Sequence, residues 1–164
     1  MDKLLLVVVY GVLGVVIARG QDSVSVLNVS GSVDVYYKYD LAGPENENGQ
    51  GNIGTAFAGN HNSMSIGMAN LIVSQAWEKV GFVADVAFGP RGQGQSLLNA
   101  SDGNSFHIQN LYVDYSPVEN LTFTAGFMGT FIGYEVISPT SNFHYSTSYL
   151  FSGGPFQNAG LKAT

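Results

Sequence analysis

The sequence predicts an all-β protein. The expected fold is a transmembrane antiparallel up-and-down β-barrel, incomplete at about five to six strands of a larger barrel and preceded by a signal peptide. Three observations carry this expectation. Apolar and polar side chains alternate with a period of two in one segment after another, and successive side chains of a strand point to opposite faces. Only 11% of the residues are charged, against roughly 25% in soluble domains, while glycine (21 residues) and aromatics (12%) are abundant. The connections between alternating segments run long, short, long, short, long, as external loops and periplasmic turns do in outer-membrane barrels.

The N-terminus reads as an export signal. Lys3 is followed by an almost wholly apolar run from Leu4 to Ala18, and Ala18-Arg19-Gly20 sets small residues ahead of Gln21. The run of about 15 residues is shorter than the roughly 20 that a bilayer-spanning helix needs. A retained anchor helix is the alternative. The expected division is a signal peptide over 1–20 and a barrel segment over 21–164. The net charge of the whole chain is −6. Removing residues 1–20 takes away Asp2, Lys3 and Arg19, leaving eleven acidic against four basic residues, a net charge of about −7. That balance argues against a nucleic-acid partner, which needs a basic face. Without cysteine, the exported chain is stabilised by burial or by a membrane, not by disulfides.

The first strand is expected over Leu27 to Tyr39, with Leu27, Val29, Val33, Val35, Tyr37 and Tyr39 on one face and Ser30, Ser32, Asp34, Tyr36 and Lys38 on the other. Ala42 to Asn62 is a long polar loop. Its Gly49-Gln50-Gly51-Asn52-Ile53-Gly54 matches G-x-G-x-x-G, but no strand-to-helix context supports a nucleotide site. Met64 to Gln75 is a second strand, whose apolar phase changes at Ala69-Asn70. A β-bulge would cause this, and so would a strand running past the membrane. Ala76 to Lys79 is a short link holding the sole Trp. In the next strand Val80, Phe82, Ala84, Val86 and Phe88 form the apolar face.

Pro90 to Asn104 is a second long loop. Phe106 to Tyr115 and Leu121 to Gly133 form a hairpin, with Pro117 and Asn120 in its turn. Here Leu121, Phe123, Ala125, Phe127 and Phe131 share a face. Tyr134 to Phe156 is irregular and too aromatic for a solvated tip. It either enters the lumen or packs on the barrel rim. Gln157 to Thr164 starts another strand. Five strands and a stub cannot close a barrel whose smallest bacterial form has about 8 strands, so the segment is expected to be the N-terminal part of a longer protein. A weak internal repeat accompanies the hairpins: Asn70-Leu71-Ile72-Val73-Ser74 corresponds to Asn110-Leu111-Tyr112-Val113-Asp114 at an offset of 40, shared by Gly89 and Gly129.

If the apolar row holding Val33, Phe82, Phe88, Phe123 and Phe127 meets outer-membrane lipid, the pore-facing candidates are Asp34, Tyr36, Lys38, Asp85, Asn110, Tyr112, Asp114, Thr122, Thr124 and Thr130. The bland alternative makes them the solvent face of a soluble sheet. Within the third loop, Glu135, Asn142, His144, Tyr145 and Tyr149 are candidates for a constriction. Catalysis would have to use His61, His107, His144, carboxylates and serines, yet no H-E-x-x-H occurs and no G-x-S-x-G precedes a helix. No catalytic residue, metal ligand or cofactor site is expected. The N-x-[ST] sequences at Asn28, Asn99 and Asn120 matter only in a glycosylating pathway.

Val80 to Arg91, Leu121 to Phe127, Gly133-Tyr134-Glu135-Val136-Ile137, Tyr145-Ser146, Tyr149-Leu150-Phe151 and Gly154-Pro155-Phe156 resemble the OmpL-like beta-barrel porin 2 family of Gram-negative outer-membrane proteins. The resemblance spans roughly Val29 to Thr164. It implies an outer-membrane barrel acting as a porin, with small hydrophilic solutes as its cargo and homo-oligomerisation left open. A non-conducting barrel with a structural or adhesive role and a soluble secreted β-sandwich or lipocalin-like binder are the competing classes.

Overall fold

The computed structural model describes residues 26–41, 57–97 and 106–164. The signal-peptide segment, the G-x-G-x-x-G match and Asn99 lie outside the described residues. Six strands form one sheet: β1 (Asn28–Lys38), β2 (Ser63–Trp77), β3 (Val80–Phe88), β4 (His107–Val118), β5 (Leu121–Gly129) and β6 (Gln157–Ala163). Their spatial order is their chain order, and every neighbouring pair is antiparallel. This is the serial-hairpin topology expected of an up-and-down barrel wall.

The two faces follow the alternation. On one face lie Val29, Val33, Val35, Leu71, Phe88, Leu111, Val113, Tyr115 and Leu161, all exposed, Val33 and Leu161 each to 74%. Among the described residues no second sheet covers them. The other face carries Asp34, Asn70, Asp85, Asn110, Asp114 and Thr124, which are buried or half-buried. A soluble sheet would hide the first row and wet the second. Here the burial is inverted, as in a membrane barrel. The nine residues of β3 extend about 30 Å, or roughly 21–25 Å along the normal at a tilt of 35–45°, close to the apolar band of such barrels. Aromatics bracket the exposed row. Trp77 and Phe82 lie 5.9 Å apart near the short turns, and Phe88 and Phe106 lie 6.4 Å apart near the long loops.

The short links are tighter than the sequence suggests. Trp77 pairs with Val80, leaving Glu78 and Lys79 as the whole turn, with Glu78 at φ 40°. Val118 pairs with Leu121, leaving Glu119 and Asn120. Pro117 was expected in the turn but lies within β4, where the register shifts between Tyr115 and Val118. An irregularity tolerates proline because no ladder donor is needed there. β5 ends at Gly129, so Phe131 does not join its row.

The phase change in β2 is a bulge. Its place is Gly67–Met68, opposite Asp34, not Ala69-Asn70. Met68 therefore leaves the row of Met64 and Ile66 and turns inward, where it is fully buried. The Asp34 carboxylate holds the bulge by accepting from the Met68 N–H at 2.9 Å. A Cβ at Gly67 would come within 1.9 Å of Asp34 Oδ2, so glycine makes room for the carboxylate. A second bulge sets Gln109 and Asn110 together on the inner face of β4.

Residues 130–156 form a strap across the polar face. It contains a 3-10 turn at Pro139–Ser141 and one helical turn, α1 (Tyr149–Ser152), capped by Ser148 Oγ accepting from the Phe151 N–H at 3.1 Å. Ile137, Phe151 and Phe156 of the strap pack with Phe57, Met68 and Ala87 in a small apolar core on the polar side of the sheet.

Candidate functional site

The polar face is built as rungs, one side chain per strand. Asn70 Oδ1 accepts from the Ser32 backbone N–H at 3.0 Å and from Ser32 Oγ at 2.7 Å. Asn70 Nδ2 and Asn110 Nδ2 both donate to the Asp85 carboxylate, each at 3.2 Å. Asn110 Oδ1 accepts from the Gly129 N–H at 2.9 Å. The chain of bonds thus runs from β1 to β5. It also gives the 40-residue repeat a physical meaning: the two equivalent asparagines flank β3 and satisfy one carboxylate from both sides. Nearer the short turns, Thr124 Oγ1 donates to Asp114 Oδ1 at 2.6 Å, and Thr122 and Ser116 hydroxyls meet at 2.9 Å. Lys162 pairs with Thr124 from the far side.

The strap is latched to this wall at β1 and at the β3–β4 loop. Tyr145 Oη donates to Asp34 Oδ2 at 2.5 Å. Arg91 Nε donates to the Ile137 carbonyl at 2.6 Å, and Arg91 Nη2 donates to the Tyr145 carbonyl at 3.1 Å. The guanidinium lies 4.8 Å from the Phe57 ring centroid and 5.0 Å from that of Tyr145. Burial draws the Arg91 pKa below its ordinary value, and the neighbouring Tyr145 and Asp34 oppose that shift. Burial, then the bond to the Asp34 carboxylate, raises the Tyr145 phenol above its ordinary value of 10.0. A neutral phenol donor and a permanent cation therefore hold the strap.

The ten pore-facing candidates stand as follows. Asp34, Asp85, Asn110, Asp114, Thr122 and Thr124 are in the bonds just described. Tyr112 is half-buried on the same face. Tyr36 lies 5.6 Å from the Tyr145 ring, and Lys38 Nζ donates to the Gly59 carbonyl at 2.9 Å. Thr130 lies just past β5, its hydroxyl accepting from the Ile132 N–H at 3.1 Å.

Of the five strap candidates, only Tyr145 bonds to the sheet. Asn142 braces the strap itself, through the N–H and carbonyl of Val136 at 2.9 and 2.7 Å. Glu135 accepts from the Ser148 N–H at 2.8 Å and from the Ser148 hydroxyl. His144 and Tyr149 are exposed. Arg91, Gln109 and Phe57 contribute buried side chains that sequence reasoning missed, and His107, weighed there only as a catalytic group, is fully buried. The signal for Arg91 was present, since it is the only cation of its loop.

An open-edged antiparallel sheet with an apolar exposed face, a bonded polar face and a loop across that face defines the wall of a β-barrel of outer-membrane type. The chain belongs to the family described as Putative beta-barrel porin-2, OmpL-like, whose model matches residues 26–164. No curated protein and no solved structure matches the chain.

Proposed function

We propose that the chain forms part of the wall of an outer-membrane pore that lets small hydrophilic solutes diffuse passively, with the 130–156 strap narrowing the lumen and no catalytic step. The reading assigns lipid to the apolar row and solutes to the polar row. The observation that carries it is the inverted burial, in which Val33 and Leu161 are open while Asp85 is 5% exposed. Asp34, Lys38, Asp85, Asp114 and Lys162 then supply the polar lining, and Tyr145 sets the reach of the strap. Export by a signal peptide over residues 1–20 belongs to the same reading.

A second reading draws on the apolar core under the strap. Phe57, Met68, Ile137, Phe151 and Phe156 close off part of the polar face. A barrel so filled would be a non-conducting structural element. Planar-bilayer recording of the full-length protein separates the two. Stepwise ohmic conductance is the expected result, and reconstituted protein that stays silent over the full voltage range would overturn the pore. The soluble β-sandwich has no observation in its favour, because the described strands form one sheet.

A further inference from the structure

The polar face holds a cleft of about 230 Å³ on the β4–β6 side, lined by Asn110, Tyr112, Asp114, Thr124 and Lys162 together with Met128 and Gly129. We infer that this cleft is a solute-binding subsite for a small zwitterion of the α-amino-acid type. The inference rests on the reading of this face as the lumen wall.

The cleft contains one carboxylate and one ammonium on a single rung. Asp114 pairs with Thr124 on one side, and Thr124 pairs with Lys162 on the other. The two charged residues thus stand two strand spacings apart, about 10 Å at the backbone. Thr124 directs its hydroxyl proton to Asp114 Oδ1, which occupies one carboxylate oxygen of a residue that lines the cleft. Asn110 already donates to Asp85 and accepts from Gly129, which holds its amide in place as part of the cleft wall.

The chemistry of this pair selects the ligand. A simple cation is drawn to Asp114 and repelled by Lys162, and a simple anion meets the reverse. A neutral polyol uses neither charge. A molecule carrying an ammonium and a carboxylate a few bonds apart satisfies both at once, the ammonium at Asp114 and the carboxylate at Lys162. The volume sets the scale. It falls below the roughly 300–1,000 Å³ of pockets for drug-sized ligands, so a solute of few heavy atoms fits. Tyr112 adds a ring wall against which the short carbon frame can lie.

The test is titration calorimetry of detergent-solubilised full-length protein with glycine, beside acetate, methylammonium and glycerol. Glycine is expected to bind saturably, with the other three at least about tenfold weaker. Asp114→Asn keeps an oxygen for Thr124 while removing the charge, and Lys162→Met keeps the stem on an exposed outer strand. Each is expected to weaken glycine about tenfold and leave glycerol unchanged. Equal binding of glycerol, no binding of glycine, or variants that bind like the parent would overturn the subsite. Bilayer conductance of the same protein in KCl is read separately. A protein that binds glycine but never conducts loses the pore and keeps the subsite, and one that conducts without binding glycine does the opposite.

Discussion

The two faces of this sheet are made from alternate residues of the same strands, yet they are stabilised by different means. Among the described residues the exposed face has no packing layer over it: Val113, Leu111 and Tyr115 face outward and stay exposed. What it needs is apolarity, and many residues supply that. The inner face is held by specific atoms. Asp34 serves a backbone N–H and a phenol, and Asp85 serves two amides. The outer face is therefore tolerant of shape and intolerant of charge, and the inner face is the reverse. The largest effect should come from breaking the first half of that statement. Val113→Arg places a cation in the lipid row and should cost about 2–4 kcal/mol for a position near the midplane. Tyr112→Arg, one residue away, should cost about 1 kcal/mol or less. Urea unfolding from lipid vesicles measures both. Equal costs would remove the lipid from the outer row.

The inner face is tested through the strap. Arg91→Ala removes two charge-assisted bonds to carbonyls and both ring contacts, and should destabilise by about 3 kcal/mol. Cleavage of residues 130–156 by added protease should rise in step. Gly67→Ala should cost about 2 kcal/mol, because the new Cβ must displace the Asp34 carboxylate from the bulge and from Tyr145. Tyr145→Phe should cost about 1.5 kcal/mol, the low end for a single bond to a charged acceptor, since the residue is only half-buried. That share also depends on pH. The folded phenol titrates above its unfolded value of 10.0, so its stabilisation is complete below that value and is lost as pH rises through the folded one. Parent and Tyr145→Phe should therefore differ at pH 8 and converge at strongly alkaline pH. A strap that stays equally protected in all these variants would mean that the latch does not hold it.

The outer face was legible in the sequence because an apolar face asks only for a period of two. β1, β3 and the rows of Val33, Phe82, Phe88, Phe123 and Phe127 needed nothing beyond alternation. The inner face was legible only as a list. Which oxygen serves which donor depends on register, and register depends on bulges at Gly67–Met68 and Gln109, where the alternation breaks. Met68 was misplaced for this reason: its sequence phase matches Ile66, and the bulge that turns it inward is held by Asp34, 34 residues earlier in the chain. Arg91 was missed because its partners are the backbone carbonyls of residues 137 and 145, which carry no residue-type signal. The aromatic strap was legible as unusual for a tip, but its path was not. Among its polar candidates Tyr145 alone bonds across to the sheet, and nothing in the sequence distinguishes it from Tyr149.

The smallest effect belongs to a place that neither face controls, and it sharpens the contrast for that reason. Glu78 opens the turn between β2 and β3 at φ 40°, a left-handed conformation that costs an ordinary L-residue about 1–2 kcal/mol. Glycine avoids that strain but loses about 0.5–1 kcal/mol to its freer unfolded chain. Glu78→Gly should therefore stabilise by about 0.5 kcal/mol. The turn touches neither the strap nor the middle of the lipid row. The gain should thus be the same in lipid as in detergent, and should add to the cost of Arg91→Ala without interaction. Val113→Arg, in contrast, should have a smaller penalty in detergent, because a micelle deforms around a charge more readily than a bilayer does. A Glu78→Gly gain that vanished on leaving the bilayer would place the short turn inside the apolar layer, and the boundary between the two regimes would have to move past Trp77.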